Sequence, residues 1–349
     1  MENVLLPLLF SLSLLFLNPL FHGGIAIAAK TKDGLEEWGY VQVRPKAHMF
    51  WWLYKSPYRV KNPSKPWPII LWLQGGPGAS GVAIGNFEEI GPLDTNLKPR
   101  NSTWLQVADL LFVDNPVGTG FSFVEDLNLL VKSDREAATD LTVLLQKIFN
   151  RNKSLQESPL YIVAESYGGK FAVTLALSAL KSIEQGKLKL KLGDLSRLDT
   201  INLKIANRFD AQSDSVFDEM EGDFMKPRIN EVDELLAKGV NVTVYNGQLD
   251  LICSTKGTEA WVEKLRWKGI HNFRTKERTP LFCGEGRATK GFTKSYQNLH
   301  FYWILGAGHF VSKKFYQPIH YHLHYANCKT THLIQFDQLF KRDSICRLS

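Results

Sequence analysis

Three side chains that could act together in nucleophilic catalysis follow apolar runs in this 349-residue sequence. Ser166 comes after the run 161–164 and before two glycines, an arrangement in which a tight strand-to-helix turn exposes a serine hydroxyl. A serine hydroxyl becomes a nucleophile only when a base accepts its proton and an acid orients that base. His309 in GAGHF and Asp250 in YNGQLDL each follow an apolar run through a glycine turn, so they are the candidate base and acid.

Other residues could fill these roles, and the order along the chain decides among them. Asp114 in FVDNPVG is a rival acid, but it precedes the serine, whereas α/β-hydrolases run nucleophile, acid, base. His48, His271 and His300 lack a glycine turn at a strand end. The simpler interpretations are a serine that caps an ordinary helix and a structural histidine in a loop. Chain order favours the catalytic triad.

The turn in QGGPG, after an earlier apolar run, could stabilise the oxyanion of an acyl-transfer reaction. Backbone N–H groups held toward the developing negative charge lower the barrier. Gly76 lies in this turn, and Tyr167 directly follows the candidate nucleophile. We predict that these two residues supply the donors, with a plain tight turn over 75–78 as the alternative.

Alternating strands and helices must position these groups. The segment WGYVQVRPKAHMFWWLYKS predicts two antiparallel strands, and the apolar runs before QGGPG, DNPVG, ESYGG and NGQLD predict further strands. Helices are predicted over 133–150, 170–183 and 258–266, and a hairpin leads into a final strand over 301–305. This alternation predicts an α/β fold whose mostly parallel sheet has helices on both faces and functional groups at the carboxyl ends of its strands.

The first residues predict export. Residues 4–20 are almost wholly apolar and AIA follows at 26–28, so we predict a signal peptide over 1–28 that is cleaved after Ala28. An anchoring helix is the alternative, because the run is long and has no basic residue before it. The predicted location is the secretory pathway, ending outside the cell or in a vacuole or lysosome, without membrane contact after cleavage.

Sequons and cysteines fit the same route. Asn101, Asn152 and Asn241 each begin an N-x-S/T tripeptide, so we predict glycosylation there. Of the four cysteines, Cys253 and Cys283 form the predicted bridge, although sequence leaves the pairing open.

The formal net charge of +7 does not indicate a nucleic-acid partner. From residue 312 onward six Lys or Arg stand against two Asp, so more than half of the surplus lies in the tail. The rest of the chain mixes both signs without a long basic run, so we predict no nucleic-acid binding. His320, His322 and His324 alternate but have no acidic or cysteine ligand at a supporting spacing, so we predict no metal and no cofactor.

The motifs WLQGGPGAS, DNPVGTGFSF, ESYGGK, NGQLDLIC and GAGHFV together resemble the serine carboxypeptidases, peptidase family S10. Within the family they resemble the branch of retinoid-inducible serine carboxypeptidase and serine carboxypeptidase-like 51, whose oxyanion motif carries Gln. The resemblance implies an α/β-hydrolase domain over 29–311 with the triad derived above. It also implies that Trp72, Gln74, Gly75 and Glu165 bind the terminal carboxylate of a substrate.

The resemblance also implies a function. Glu165 meets a carboxylate without repulsion only if a proton is held there, so an acidic working pH is predicted. The predicted reaction releases C-terminal amino acids from peptides through an acyl-enzyme. The family also contains acyltransferases that act on acyl esters, and a truncated, inactive product is the remaining alternative.

Two regions depart from the family pattern. Segment 184–227 is an abbreviated cap region that lacks a strong strand signal, and KLKLGDLSRLDT is expected to join parts that lie far apart in the family. We therefore expect a central strand to be missing, which would leave its neighbours in the sheet unpaired. Residues 312–349 lack a sustained helical stripe and are expected to form an atypical tail.

Overall fold

One sheet of twelve strands organises the part of the chain that the computed structural model describes, residues 26–59, 66–198, 211–282 and 288–311. The strands are β1 (Ala26–Lys30), β2 (Glu36–Arg44), β3 (Ala47–Tyr54), β4 (Ile69–Leu73), β5 (Asp109–Val113), β6 (Phe123–Val124), β7 (Pro159–Ala164), β8 (Lys191–Leu198), β9 (Val242–Gly247), β10 (Thr279–Phe282), β11 (Thr289–Tyr296) and β12 (Leu299–Ile304). Their order is β1-β2-β3-β5-β4-β7-β8-β9-β12-β11-β10, with β6 beside β3.

Helices connect and cover these strands. They are α1 (Asp134–Phe149), α2 (Lys153–Glu157), α3 (Gly168–Glu184), α4 (Asp214–Glu219), α5 (Glu221–Phe224), α6 (Ile229–Ala237), α7 (Thr255–Val262) and α8 (Ile270–Thr275), with a π-helix at Gly81–Ile90. The three helices predicted from sequence are confirmed with shifted ends. Capping explains one shift, because the Ser254 side chain accepts a hydrogen bond from the Gly257 N–H and α7 begins at Thr255.

The centre of the sheet is parallel and its margins are antiparallel. Strands β5, β4, β7, β8, β9 and β12 run parallel, while the β2–β3 and β11–β12 hairpins are antiparallel. β4, β5 and β9 are buried along their whole length, as strands covered on both faces must be. The predicted α/β fold is confirmed.

Strand β4 shows how the two faces of the sheet are filled. Ile69, Leu71 and Leu73 point into the cluster that includes apolar residues of α1 and α3. Ile70 and Trp72 point the other way, into a second cluster that includes apolar residues of the π-helix. This alternation follows from the two-residue period of a strand. Both layers hold β4 in place, so the turn that follows it starts from a fixed point.

Strand β8 overturns the expected gap in the sheet. It lies between β7 and β9 and pairs in parallel with both of them. The expectation was wrong because it rested on side-chain patterns. Strands pair through their backbones, so the N–H and C=O groups at two open strand edges can form hydrogen bonds with an extended segment of any sequence. The shortened segment therefore still supplies a central strand, and α4 and α5 follow it.

Several predictions lie partly or wholly outside the described residues. Strand β1 begins at Ala26 and pairs with β2, so the predicted cleavage after Ala28 falls inside this strand. The described residues include no helix that is long and apolar enough to span a membrane. Among the residues for which predictions were made, 1–25, Cys283 and the tail 312–349 with His320, His322 and His324 lie outside the described residues.

Candidate active site

Ser166 stands at the turn between β7 and α3 in a strained conformation. Its φ is +63°, a left-handed value that costs an L-residue about 1–2 kcal/mol. Glycines make room for the turn: a Cβ on Gly168 would clash with the Leu73 carbonyl oxygen, and one on Gly75 would lie 2.8 Å from Ser166 Oγ. The two glycines therefore leave space for a tight strand-to-helix turn at Ser166, as the pattern ESYGG predicted.

Asp250 and His309 meet beyond the carboxyl ends of β9 and β12. His309 Nδ1 lies 3.6 Å from Asp250 Oδ2, an ion-pair distance that exceeds hydrogen-bond length. Asp250 Oδ1 accepts hydrogen bonds from the N–H groups of Ile252 and Cys253, at 3.0 and 3.1 Å, which orient the carboxylate. Both side chains are buried. The structure thus brings the candidate acid and base together.

The rival acid, Asp114, lies in a different set of contacts. Its Oδ1 accepts hydrogen bonds from Ser80 Oγ at 2.6 Å and from the Val82 N–H at 3.1 Å. Its Oδ2 accepts one from the Phe121 N–H at 2.8 Å. Burial raises the pKa of this carboxyl group. Asp114 joins three loops, and among the described residues it has no hydrogen bond or ion pair with a histidine.

The candidate oxyanion donors belong to two neighbouring turns. Gly76 has a φ of +103° and directly precedes Pro77, in the turn after β4. Tyr167 lies in the turn after β7, the adjacent parallel strand. Within the described ranges, neither the Gly76 nor the Tyr167 N–H donates to another protein group. Both donors are therefore free to bind an oxygen of a substrate.

The residues implied to bind a terminal carboxylate form a buried hydrogen-bonded chain. Trp72 Nε1 donates to Gln74 Oε1 at 2.6 Å, and Gln74 Nε2 donates to Glu165 Oε1 at 3.0 Å. All three side chains are at most 4% exposed. Gly75 follows Gln74 and approaches Ser166, so this chain of bonds adjoins the candidate nucleophile.

Sequence reasoning missed two groups near this site. Glu89 is a second buried carboxyl group; burial raises the pKa of Tyr245, and the charges of Glu165 and Glu89 add to this effect. Behind Tyr167, four buried charged residues form a network: Asp134, Lys170, Asp223 and Arg228. Lys170 stands in the motif ESYGGK, but its spacing gave no sign of distant partners.

The other predicted sites are spread over the surface. Asn101 is exposed, whereas Asn152 and Asn241 are half-buried, and the Asn152 side chain accepts a hydrogen bond from the Ser154 N–H. Cys253 is half-buried, and its predicted partner lies outside the described residues. No cluster of three or more potential metal ligands occurs in the described ranges.

Known proteins show clear similarity to this chain. The model of the serine carboxypeptidase family matches residues 28–204 and 196–323. Serine carboxypeptidase-like 51 of Arabidopsis thaliana is 49% identical over 410 aligned positions, which cover 80% of this chain and 89% of the relative. Retinoid-inducible serine carboxypeptidase of Mus musculus is 38% identical, with 83% and 91% covered.

A solved structure shares the fold. The prohormone-processing carboxypeptidase Kex1(delta)p of Saccharomyces cerevisiae superimposes with a TM-score of 0.69 at 18% identity, covering 80% of this chain and 88% of that one. The two segments matched by the family model overlap at residues 196–204. The alignment with serine carboxypeptidase-like 51 spans 410 positions, more than the 349 residues of this chain, so it must contain gaps in this chain. The chain is therefore shorter than this relative inside the matched region, and the abbreviation of 184–227 stays a prediction.

Proposed function

Because this chain belongs to the serine carboxypeptidase family, we propose that it releases amino acids from the C-terminus of peptides through an acyl-enzyme on Ser166. One observation carries the proposal: Glu165, the end of the buried Trp72–Gln74–Glu165 chain, directly precedes Ser166. A substrate carboxylate held at Glu165 brings the last peptide bond of the substrate next to the hydroxyl. That placement fits removal of a terminal residue and not cleavage within a chain.

The proposed reaction gives each of five residues a role. Ser166 Oγ attacks the carbonyl carbon of the last peptide bond while His309 accepts the hydroxyl proton. Asp250 fixes the tautomer of the imidazole, and the N–H groups of Gly76 and Tyr167 stabilise the oxyanion. The C–N bond breaks as His309 returns the proton to the leaving amine. Water then attacks the acyl ester, loses its proton to His309 and releases the shortened peptide.

Binding of the terminal carboxylate sets the proposed pH dependence. Gln74 and Glu165 are buried, so a carboxylate brought to them leaves water and needs donors. Protonated Glu165 is such a donor, whereas ionised Glu165 would repel the substrate. We therefore propose that activity is highest in acidic solution and falls at higher pH as Glu165 loses its proton.

A pair of peptides tests this function. Purified protein is incubated with a peptide that has a free C-terminal carboxylate and with the same peptide amidated, and mass spectra follow successive losses. We expect residue-by-residue shortening of the acid and slow or no shortening of the amide, with neither in Ser166→Ala. Equal shortening of both peptides, or cleavage inside them, would overturn the proposal.

The variant Glu165→Gln tests the pH dependence separately. Glutamine keeps an amide donor and cannot ionise, so kcat/KM should lose its fall at higher pH. If kcat/KM of Glu165→Gln falls at the same pH as that of the wild type, the fall is caused by ionisation of a group other than Glu165.

The two alternatives receive less support. No observation favours acyl transfer, and an added alcohol in the same assay would reveal it as an ester product. One argument for a catalytically inactive chain was the expected gap in the sheet, which β8 fills. The other was the atypical tail 312–349, which lies outside the described residues. Peptide is therefore the proposed substrate class.

Export and glycosylation form a separate part of the proposal. The apolar run over 4–20 supports entry into the secretory pathway, and the exposed position of Asn101 leaves this sequon open to a glycan. Mass spectrometry of the secreted protein before and after deglycosylation tests both. A protein that retains residues 1–20 and carries no glycan would contradict them.

A further inference from the structure

Residues 211–228, which we call the bracing segment, lie at the end of the region predicted to be abbreviated. Their first part lies against the turn that holds Gly76. The Ser80 N–H donates to the Ala211 carbonyl at 2.7 Å, and the Ser213 N–H donates to the Gly78 carbonyl at 2.8 Å. Two backbone hydrogen bonds therefore attach the segment to the far end of the turn.

Gln212 reaches the near end of the same turn. Its Nε2 donates to the Pro77 carbonyl at 2.7 Å. A Cβ added at Gly76 would lie 2.9 Å from Gln212 Oε1, so the side chain lies directly against the candidate oxyanion donor. A change in the position of Gln212 would change the position of the Gly76 N–H.

The last part of the segment lies against the other candidate donor. Tyr167 Oη donates to Asp223 Oδ2 at 2.7 Å, and Lys170 Nζ donates to the same oxygen at 2.9 Å. The Phe224 ring stacks on the Tyr167 ring, with centroids 5.7 Å apart. Tyr167 is thus held by its hydroxyl and by its ring.

Arg228 completes the network behind Tyr167. Its guanidinium donates to Asp223 Oδ1 at 3.0 Å and, through Nε, to Asp134 Oδ2 at 2.6 Å. Asp134 is the first residue of α1, and its N–H donates to Asp223 Oδ2 at 3.3 Å. The network ties the bracing segment to α1 and, through Lys170, to the start of α3.

Four buried charges are a poor means of stabilising a fold. Two carboxylates balance two cations here, and no side chain of the four is more than about a tenth exposed. The desolvation of such a group offsets most of its attraction, so apolar residues of similar volume would serve stability as well. Directional hydrogen bonds do, however, fix the position of Tyr167 more narrowly than apolar packing does.

We propose that the bracing segment positions both oxyanion donors, Gln212 by holding the Gly76–Pro77 turn and Asp223 by holding Tyr167. This inference rests on the proposed function, because it assigns the two N–H groups to the oxyanion. Gln212 and Asp223 act through other residues and do not touch the substrate. A displacement of about 1 Å at such a donor lowers the rate about 100-fold, so loss of a brace should be measurable.

Asp223→Asn tests the proposal against a matched control, Asp140→Asn. Asp140 is also a buried carboxylate, and it accepts a hydrogen bond from Arg44 Nε at 2.8 Å, but it has no contact with either donor turn among the described residues. We expect Asp223→Asn to lower kcat about 10- to 100-fold with little change in KM. Gln212→Met should lower kcat severalfold, and Asp140→Asn should lower only the melting temperature.

Binding of two ligands separates a positioning role from a general loss of structure. A peptide aldehyde forms a tetrahedral adduct with Ser166 and needs the oxyanion donors, whereas a peptide acid needs only the carboxylate site. In Asp223→Asn, the inhibition constant of the aldehyde should rise by the factor by which kcat falls, and that of the acid should stay constant. Equal losses for both ligands would overturn the proposal.

A milder variant covers the case in which Asp223→Asn does not fold. Tyr167→Phe removes only the hydroxyl that Asp223 holds, and unchanged aldehyde binding in this variant would overturn the proposal. If the wild type cleaves peptides but Asp223→Asn and Asp140→Asn lose equal activity, the bracing role alone is overturned. A folded wild type that neither cleaves peptides nor binds the aldehyde would overturn the proposed function and this inference with it.

Discussion

The two halves of the candidate site are held in place to different degrees. The nucleophile half is enclosed by backbone, because Gly75 adjoins Ser166 and the bracing segment holds the neighbouring turns. In the acid–base half two backbone N–H groups orient Asp250, but its contact with His309 spans 3.6 Å, longer than a hydrogen bond. Leu251, next to Asp250, is 96% exposed. The fold alone therefore preorganises the attack on the carbonyl more fully than the proton transfer.

This difference has a simple chemical interpretation. A strained serine turn and an oxyanion hole must be in place before the substrate arrives, since both depend on rigid backbone. The contact between acid and base can shorten when a substrate excludes water, as catalytic hydrogen bonds often do. Substitutions can test the two halves of the site separately, and each substitution has a control elsewhere in the chain.

The largest effect is expected in the less constrained half. Asp250→Asn keeps the shape of the acid but removes the charge that holds the useful tautomer of His309, so kcat should fall about 100- to 10,000-fold. Asp114→Asn should disturb the loops that Asp114 joins and leave kcat of the folded fraction near the wild-type value. A greater loss of kcat in Asp114→Asn than in Asp250→Asn would reverse the assignment of the acid.

A methyl group tests the crowded half. In Gly75→Ala the new Cβ would lie 2.8 Å from Ser166 Oγ, so the nucleophile or the turn must shift, and kcat/KM should fall about 100-fold. Gly257→Ala in α7 is the control, because a Cβ there meets only Ser254 Oγ, at an ordinary contact distance of 3.4 Å. Similar kinetics for the two variants would mean that the nucleophile half tolerates displacement.

The Asp223 carboxylate behind Tyr167 should stay ionised in acid. Burial acts to raise the pKa of Asp223, but hydrogen bonds from Lys170 and Tyr167 outweigh it and lower the pKa below the ordinary value of 3.8. A lowered carboxyl pKa contributes stability that is fully present above the ordinary value and is lost as the pH falls through the lower folded value. Asp223 therefore stays ionised in the moderately acidic solution proposed for activity, whereas burial raises the pKa of its neighbour Asp134.

Urea unfolding of the wild type and Asp223→Asn across pH measures this contribution. Both proteins keep Asp134, Lys170 and Arg228, so the comparison varies Asp223 alone. The difference in unfolding free energy should stay constant above the ordinary pKa and shrink only below it. A difference that vanishes already at about pH 5 to 6 would contradict the lowered pKa.

The smallest effect is expected at the exposed rim of the acid–base half. Leu251→Ser changes a side chain that is 96% exposed, so the free energy of unfolding should change by less than about 0.5 kcal/mol. Leu71→Ala in β4, where the side chain is fully buried, should cost about 2–5 kcal/mol. A large loss of stability in Leu251→Ser would show that this rim is covered in the folded protein.

What the sequence could predict depends on how local each feature is. The serine turn was predictable because strand, small residues and helix all lie within a few positions, and the acid and base followed from strand-end turns and chain order. Strand β8 was missed because its place depends on two distant strand edges. Asp223 and Gln212 were missed for the same reason, since their partners lie 56 and 135 positions away.

The most direct test of the account is whether Ser166 is an activated nucleophile. Mature protein is treated with an organofluorophosphate, and its intact mass is measured beside that of Ser166→Ala. We expect one adduct on the wild type and none on the variant, because a serine reacts with an organofluorophosphate only when its base and oxyanion hole are assembled. Folded wild-type protein without an adduct, or an adduct that persists in Ser166→Ala, would contradict it.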